Sequence, residues 1–130
     1  MSTEPAKSSV ADPLDPLRWE KLVALQRAVG RNDFLRALVL IFLRDAPLRL
    51  SGIREAAACG DKKTAEQTAH SLKGSAGNVG ATIVATLSSE VEQSAGRGDF
   101  EKVAELLPRL EAEVQRAETA LLERSDPDRA

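Results

Sequence analysis

Apolar residues recur through most of the chain at intervals of three and four, the period of helices that bury one stripe. The clearest run lies near the C-terminus, where Val103, Leu107, Leu110, Val114, Ala117 and Leu121 repeat at 4, 3, 4, 3, 4, the seam of a coiled-coil-like packing. Ile83, Val84, Leu87 and Val91 mark a second helix, from Ala81 or Thr82 to Ala95. Ala65, Ala69, Leu72, Ala76 and Val79 mark a third, over Lys62 to Asn78. From Phe34 to Leu43 the chain is apolar almost all round, as expected of a deeply buried helix. Leu17, Leu22, Leu25 and Val29 outline the buried side of a first helix, Pro16 to Val29.

Capping and breaking residues punctuate these runs. Asp15-Pro16 opens the first helix, with the carboxylate capping free amides and the proline at a position whose N–H is not needed; Gly30 ends it. Asn32 and Asp33 can cap the second, which Pro47 interrupts. That predicts either one helix bent near Leu43 to Pro47 and continuing to Ala58, or two shorter ones. Gly60-Asp61 closes it and caps the next, Gly80 stops that one, and Asp99 caps the last, in which Pro108 can impose a bend. Residues 1–14 lack an apolar period and read as a flexible leader, 15–123 as one helical domain and 124–130 as a flexible tail. Short links between long amphipathic helices predict an all-α fold: an antiparallel up-down four-helix bundle with an accessory N-terminal helix.

Composition narrows the function classes. The 130 residues suit one core, and 42% hydrophobic with only 3% aromatic residues suits helices packed through aliphatic side chains. A formal charge of -2 gives no basic field for nucleic acid or an anionic membrane. The polar N-terminus does not resemble a signal peptide, and the apolar run Ala37 to Leu43 is too short to span a bilayer. One cysteine, Cys59, and one histidine fit a reducing cytoplasm and supply too few ligands for a zinc site.

The candidate chemistry lies in one stretch, Ala69 to Ala81. On a helix turning about 100° per residue, His70, Lys73, Gly74 and Gly77 share a stripe roughly 130° from the apolar one, so one face is buried and the other open. Each glycine costs about 1 kcal/mol relative to alanine inside a helix. Gly80 is explained as a helix stop and Gly77 partly so, but Gly74, in mid-helix over His70, is not. A bare patch beside a nucleophilic imidazole suits a closely docking partner. Exposed imidazole is largely neutral at cytosolic pH and can attack without a separate base. Lys73, one turn on, can place a cation beside that imidazole.

The run His70-x-Leu72-Lys73-Gly74-Ser75-Ala76-x-x-Val79-Gly80-Ala81 resembles the signature of histidine-containing phosphotransfer (HPt) domains of bacterial multistep phosphorelays. A looser resemblance covers residues 15–123. It implies that His70 is phosphorylated, that Lys73 stabilises the phosphate, and that Gly74 permits docking. Donor and acceptor would be aspartates of receiver domains, which bring the Mg²⁺ and an acidic pocket; the chain itself needs no cofactor. No glycine-rich nucleotide loop is present, so the chain is expected to be a phosphocarrier and not an ATP-using enzyme. Lys63 and Gln67 share the His70 stripe and are expected, with Gly77, at the docking surface. Ser75 and Asn78 are expected to help end the helix rather than touch phosphate.

Two other readings stand beside this one: the HPt portion of a larger hybrid or chemotaxis-type histidine kinase, and a phosphorylation-independent adaptor that binds a receiver. The expected state is a monomer. With no carboxylate on the His70 stripe to activate water, the phosphohistidine is expected to persist. Trp19 is read as packing the first helix onto the bundle. Arg36, Arg44, Arg49 and Arg54 are read as a solvated basic flank, with a contact surface as the alternative.

Overall fold

The computed structural model describes residues 11–30 and 33–125. Expectations for residues 1–10, for Asn32 as a cap, for the chain beyond 125 and for the burial of Val29 lie outside what it describes. The described residues form five helices and no strand: α1 Pro16–Val29, α2 Phe34–Cys59, α3 Lys62–Asn78, α4 Thr82–Gly96 and α5 Phe100–Ser125. No helix among them is long and apolar enough to cross a membrane.

The expected capping explains most boundaries. Asp15 accepts the Leu17 N–H at 3.0 Å, Asp61 that of Thr64 at 3.1 Å and Asp99 that of Lys102 at 3.1 Å. At the end of α3 the Ala81 N–H donates to the Ala76 carbonyl at 2.8 Å and the Gly80 N–H to that of Gly77 at 3.2 Å, the paired pattern of a Schellman stop. Gly80 has φ +75° there, which side chains rarely adopt. Asp33 occupies the N-cap of α2, but its side chain makes no capping bond. The free Leu35 N–H is taken instead by Gln26 Oε1 of α1, at 2.9 Å. Pro47 lies inside one continuous α2 and Pro108 inside α5.

Helix α3 packs against α2 and against α4, and α5 packs against α4 and α2, while α1 contacts α2. The interior holds Phe42, Ile53, Leu72, Leu87, Leu106, Leu110 and Leu121. All six seam positions of α5 are buried. The core face of α3 carries Ala65, Ala69 and Ala76, all fully buried. Small side chains let backbones approach, and the α3–α4 pairing is the most extensive among the described helices.

The first helix departs from expectation. Leu22 is buried and Trp19 packs against the core, but Leu17 is 67% and Leu25 47% exposed. Helix α1 packs on α2 and touches only the end of α3, through Arg18, so it covers a narrow stripe. Leu14, which the polar pattern places in the leader, is buried in the core at 1% exposure. The chain before α1 is held by Asp15 N–H to the Gly80 carbonyl at 2.7 Å and by Arg116 to the Ala11 carbonyl at 2.6 Å. The first bond pins the start of α1 to the turn that ends α3, and the second ties Ala11 to α5.

Candidate functional site

His70 lies in the third turn of α3, on the face opposite the buried alanines, with 66% of its side chain exposed. Its Nδ1 stands 2.9 Å from Glu92 Oε2 of α4. Lys73 Nζ stands 3.1 Å from the other oxygen of the same carboxylate. The close α3–α4 approach over the alanine face brings this carboxylate within reach. Glu92 is only 21% exposed. Partial burial alone raises a carboxyl, but here the hydrogen bonds and charges of Lys73 and His70 outweigh it and hold Glu92 below its ordinary value. An ionised carboxylate only accepts hydrogen bonds, so the proton of a neutral His70 ring sits on Nδ1, and the lone pair is on Nε2.

The surface beside the imidazole is bare. Gly74 and Gly77 are exposed, and a Cβ added to either would meet nothing within 4 Å. Neither lies in the positive-φ region. Internal packing and backbone conformation therefore do not call for glycine at these positions. Gly80 is different: a Cβ there would come 3.0 Å from Arg18 Cγ.

Of the residues expected at the site, the structure joins His70 and Lys73 through Glu92. Lys63 and Gln67 are exposed earlier on the same stripe. Asp61, the N-cap, is held below its ordinary value chiefly by hydrogen bonds from Thr64, with a smaller contribution from the charge of Lys63. Asn78 is the last residue of α3, and its carbonyl accepts from Arg18 Nη2 at 3.3 Å. Ser75 is half-buried. The arginines of α2 are largely engaged in ion pairs: Arg44 and Arg49 with Asp45, at 3.1 and 3.8 Å, and Arg54 with Glu111 of α5. No group of three or more His, Cys, Asp or Glu among the described residues could hold a metal ion.

Glu92 is the residue that sequence reasoning missed: the expectation concerned the His70 stripe, and this carboxylate reaches His70 from another helix. Inspection of one helix stripe cannot reveal a neighbour 22 residues away. The available signal was an acidic residue directly following Val91, at the border of the α4 apolar stripe. One of its oxygens stands against Nδ1 and the other is ion-paired with Lys73, on the side of the ring away from Nε2.

The Hpt domain family model matches residues 37–120. The crystal structure of histidine-containing phosphotransfer protein B (HptB) from Pseudomonas aeruginosa PAO1 superposes with a TM-score of 0.77 at 28% sequence identity, covering 89% of this chain and 96% of that one. No curated protein matches the sequence. The family match spans more than half of the sequence and includes His70, Lys73 and Glu92, and the chain belongs to the Hpt domain family.

Proposed function

We propose that this chain is a histidine phosphotransfer protein that accepts a phosphoryl group from a receiver-domain aspartate onto Nε2 of His70 and passes it to the aspartate of another receiver. The observation that carries the reading is an exposed imidazole with Nδ1 engaged and Nε2 free, beside a glycine surface with no internal reason to be glycine. On the way in, the Nε2 lone pair attacks phosphorus and the P–O bond to the donor carboxylate breaks. On the way out, an acceptor carboxylate oxygen attacks and the P–Nε2 bond breaks. Such transfer depends mainly on in-line placement and charge compensation. Lys73, one turn from His70, supplies a cation from this chain, while the receiver brings Mg²⁺. In this reading Gly74 and Gly77, with Lys63 and Gln67, meet the receiver.

The same reading takes the domain as residues 15–123, extended by the anchored segment from Ala11. It takes the arrangement as an antiparallel up-down four-helix bundle, α2 to α5, with α1 accessory. The protein acts as a cytoplasmic monomer and a carrier without autokinase activity. The test is to mix it, and a His70→Gln variant, with a phosphorylated receiver and Mg²⁺ and follow acid-labile label. Label on the wild type alone supports the carrier. Binding retained by both proteins, with label on neither, supports the adaptor instead.

A further inference from the structure

We infer that the seam between α2 and α5 is a docking groove for an amphipathic helix of another protein, whose apolar side chains lie along Leu40 and Pro47 and whose lysine or arginine pairs with Glu118. The docking itself does not depend on the phosphotransfer reading.

Four helices close a ring of contacts: α2 on α3, α3 on α4, α4 on α5 and α5 on α2. The last of these seams is the least extensive of the four. There the surface opens into a groove of about 350 Å³, with Pro47 in its wall and the buried Leu50 and Val114 beneath. Leu40 stands two turns before Pro47 on the same side of α2, and it is 52% exposed. An apolar strip therefore runs along one wall, as a helix laid in a groove requires.

The charges select the occupant. Arg54 and Glu111 form an ion pair across the groove, so each satisfies the other. Glu118 of α5 lines the same groove, and no ion pair or hydrogen bond reaches its carboxylate among the described residues. Burial raises this carboxyl above its ordinary value, with no cation to draw it back. Pro47 has no N–H, so the Leu43 carbonyl one turn earlier also lacks its ordinary helical donor. One uncompensated negative charge among apolar walls is complemented by a cationic side chain; an anionic or wholly apolar helix would desolvate Glu118 and return nothing. A carboxylate by which the fold only loses is expected where a partner supplies the counter-charge.

His70 meets Glu92 across the α3–α4 seam, which lies opposite this groove in the ring of contacts. A helix seated on α2 and α5 leaves the imidazole uncovered, so one protein can hold the chain while a receiver docks on the other face. That consequence alone rests on the phosphotransfer reading.

From Leu40 to Arg54 the groove wall is about 21 Å long at 1.5 Å per residue, so the probe is a synthetic helical peptide of about fifteen residues. It carries leucines on one face and lysines at the border; a control peptide has glutamine in place of each lysine. Both are titrated into the full chain and followed by ¹H–¹⁵N spectra. The lysine peptide should shift the amides of Leu50, Ser51, Gln115 and Glu118 and leave those of Gly74 and Gly77 in place. It should bind about tenfold more tightly than the control, the fold-change of one charge-assisted bond. Glu118→Gln should abolish that difference without lowering the melting temperature, and Leu40→Ser should weaken both peptides alike. No shift at millimolar peptide, equal affinity for the two peptides, or shifts confined to α3 and α4 overturns the inference. Groove shifts that grow with the concentration of the protein alone overturn it in favour of a second copy as occupant. Transfer of label to His70 from a phosphorylated receiver should keep its rate with the groove saturated, and a fall would overturn simultaneous docking. Absence of transfer even without peptide would instead remove the phosphotransfer reading and leave the groove result standing.

Discussion

Substitution at Gly74 should separate stability from function. The residue is exposed in mid-α3, its φ is not positive, and nothing stands within 4 Å of an added Cβ. Gly74→Ala therefore adds no clash and removes a flexible residue from a helix interior, a gain of about 1 kcal/mol. For a domain of this size that corresponds to a rise in melting temperature of about 3–5 °C. Gly74→Leu keeps most of the helical gain, but its side chain leans toward the N-terminus of the helix, over His70. Transfer from a phosphorylated receiver should then fall about tenfold or more, equivalent to at least ~1.4 kcal/mol in the barrier. Labelling by phosphoramidate, which needs no protein docking, should change little. The assays are thermal unfolding followed by circular dichroism and rapid-quench transfer from one receiver. A lower melting temperature in Gly74→Ala would reveal an internal requirement for glycine. An unaltered receiver rate in Gly74→Leu would sink the argument that the bare surface serves docking.

Three further perturbations test the frame that holds the site. Leu14→Ala should destabilise the protein by about 2–4 kcal/mol, the cost of emptying a core leucine site, as measured by urea unfolding; no loss would mean that this residue lies outside the core. Gly80→Ala must hold a positive φ and displace Arg18, so a loss of about 1–2 kcal/mol is expected, with the near-ultraviolet signal of Trp19 altered as α1 shifts. Burial raises the Glu118 carboxyl above its ordinary 4.5. The protonated form is the one the fold favours, so this contribution is fully present below the unfolded value and is lost as pH rises through the folded one. Glu118→Gln should accordingly melt higher than the wild type at pH 7 and alike at pH 3.5, and equal melting at both would remove the penalty.

Much of this protein is written locally. The helix limits follow from Asp15, Asp61 and Asp99 at the starts and from Gly30, Gly60 and Gly80 at the ends, because a cap is a contact between residues a few positions apart. The six-residue seam of α5 is buried as its spacing implies, and His70 with its glycine surface lies opposite the alanine face of α3. What the sequence alone did not reveal required a second element. The pattern put Leu17 and Leu25 inside and Leu14 outside, because periodicity reports that a stripe exists and not whether a neighbour covers it. Asp33 is a good cap by type, yet Gln26 of α1 supplies the bond. Glu92 meets His70 only through the register of α3 on α4, set by Ala65, Ala69 and Ala76 across 22 residues of chain. His70 was legible as a candidate because most of its motif lies within one helix. Its contact with Glu92 was decided by tertiary packing, which alone fixes the distance between side chains on different helices.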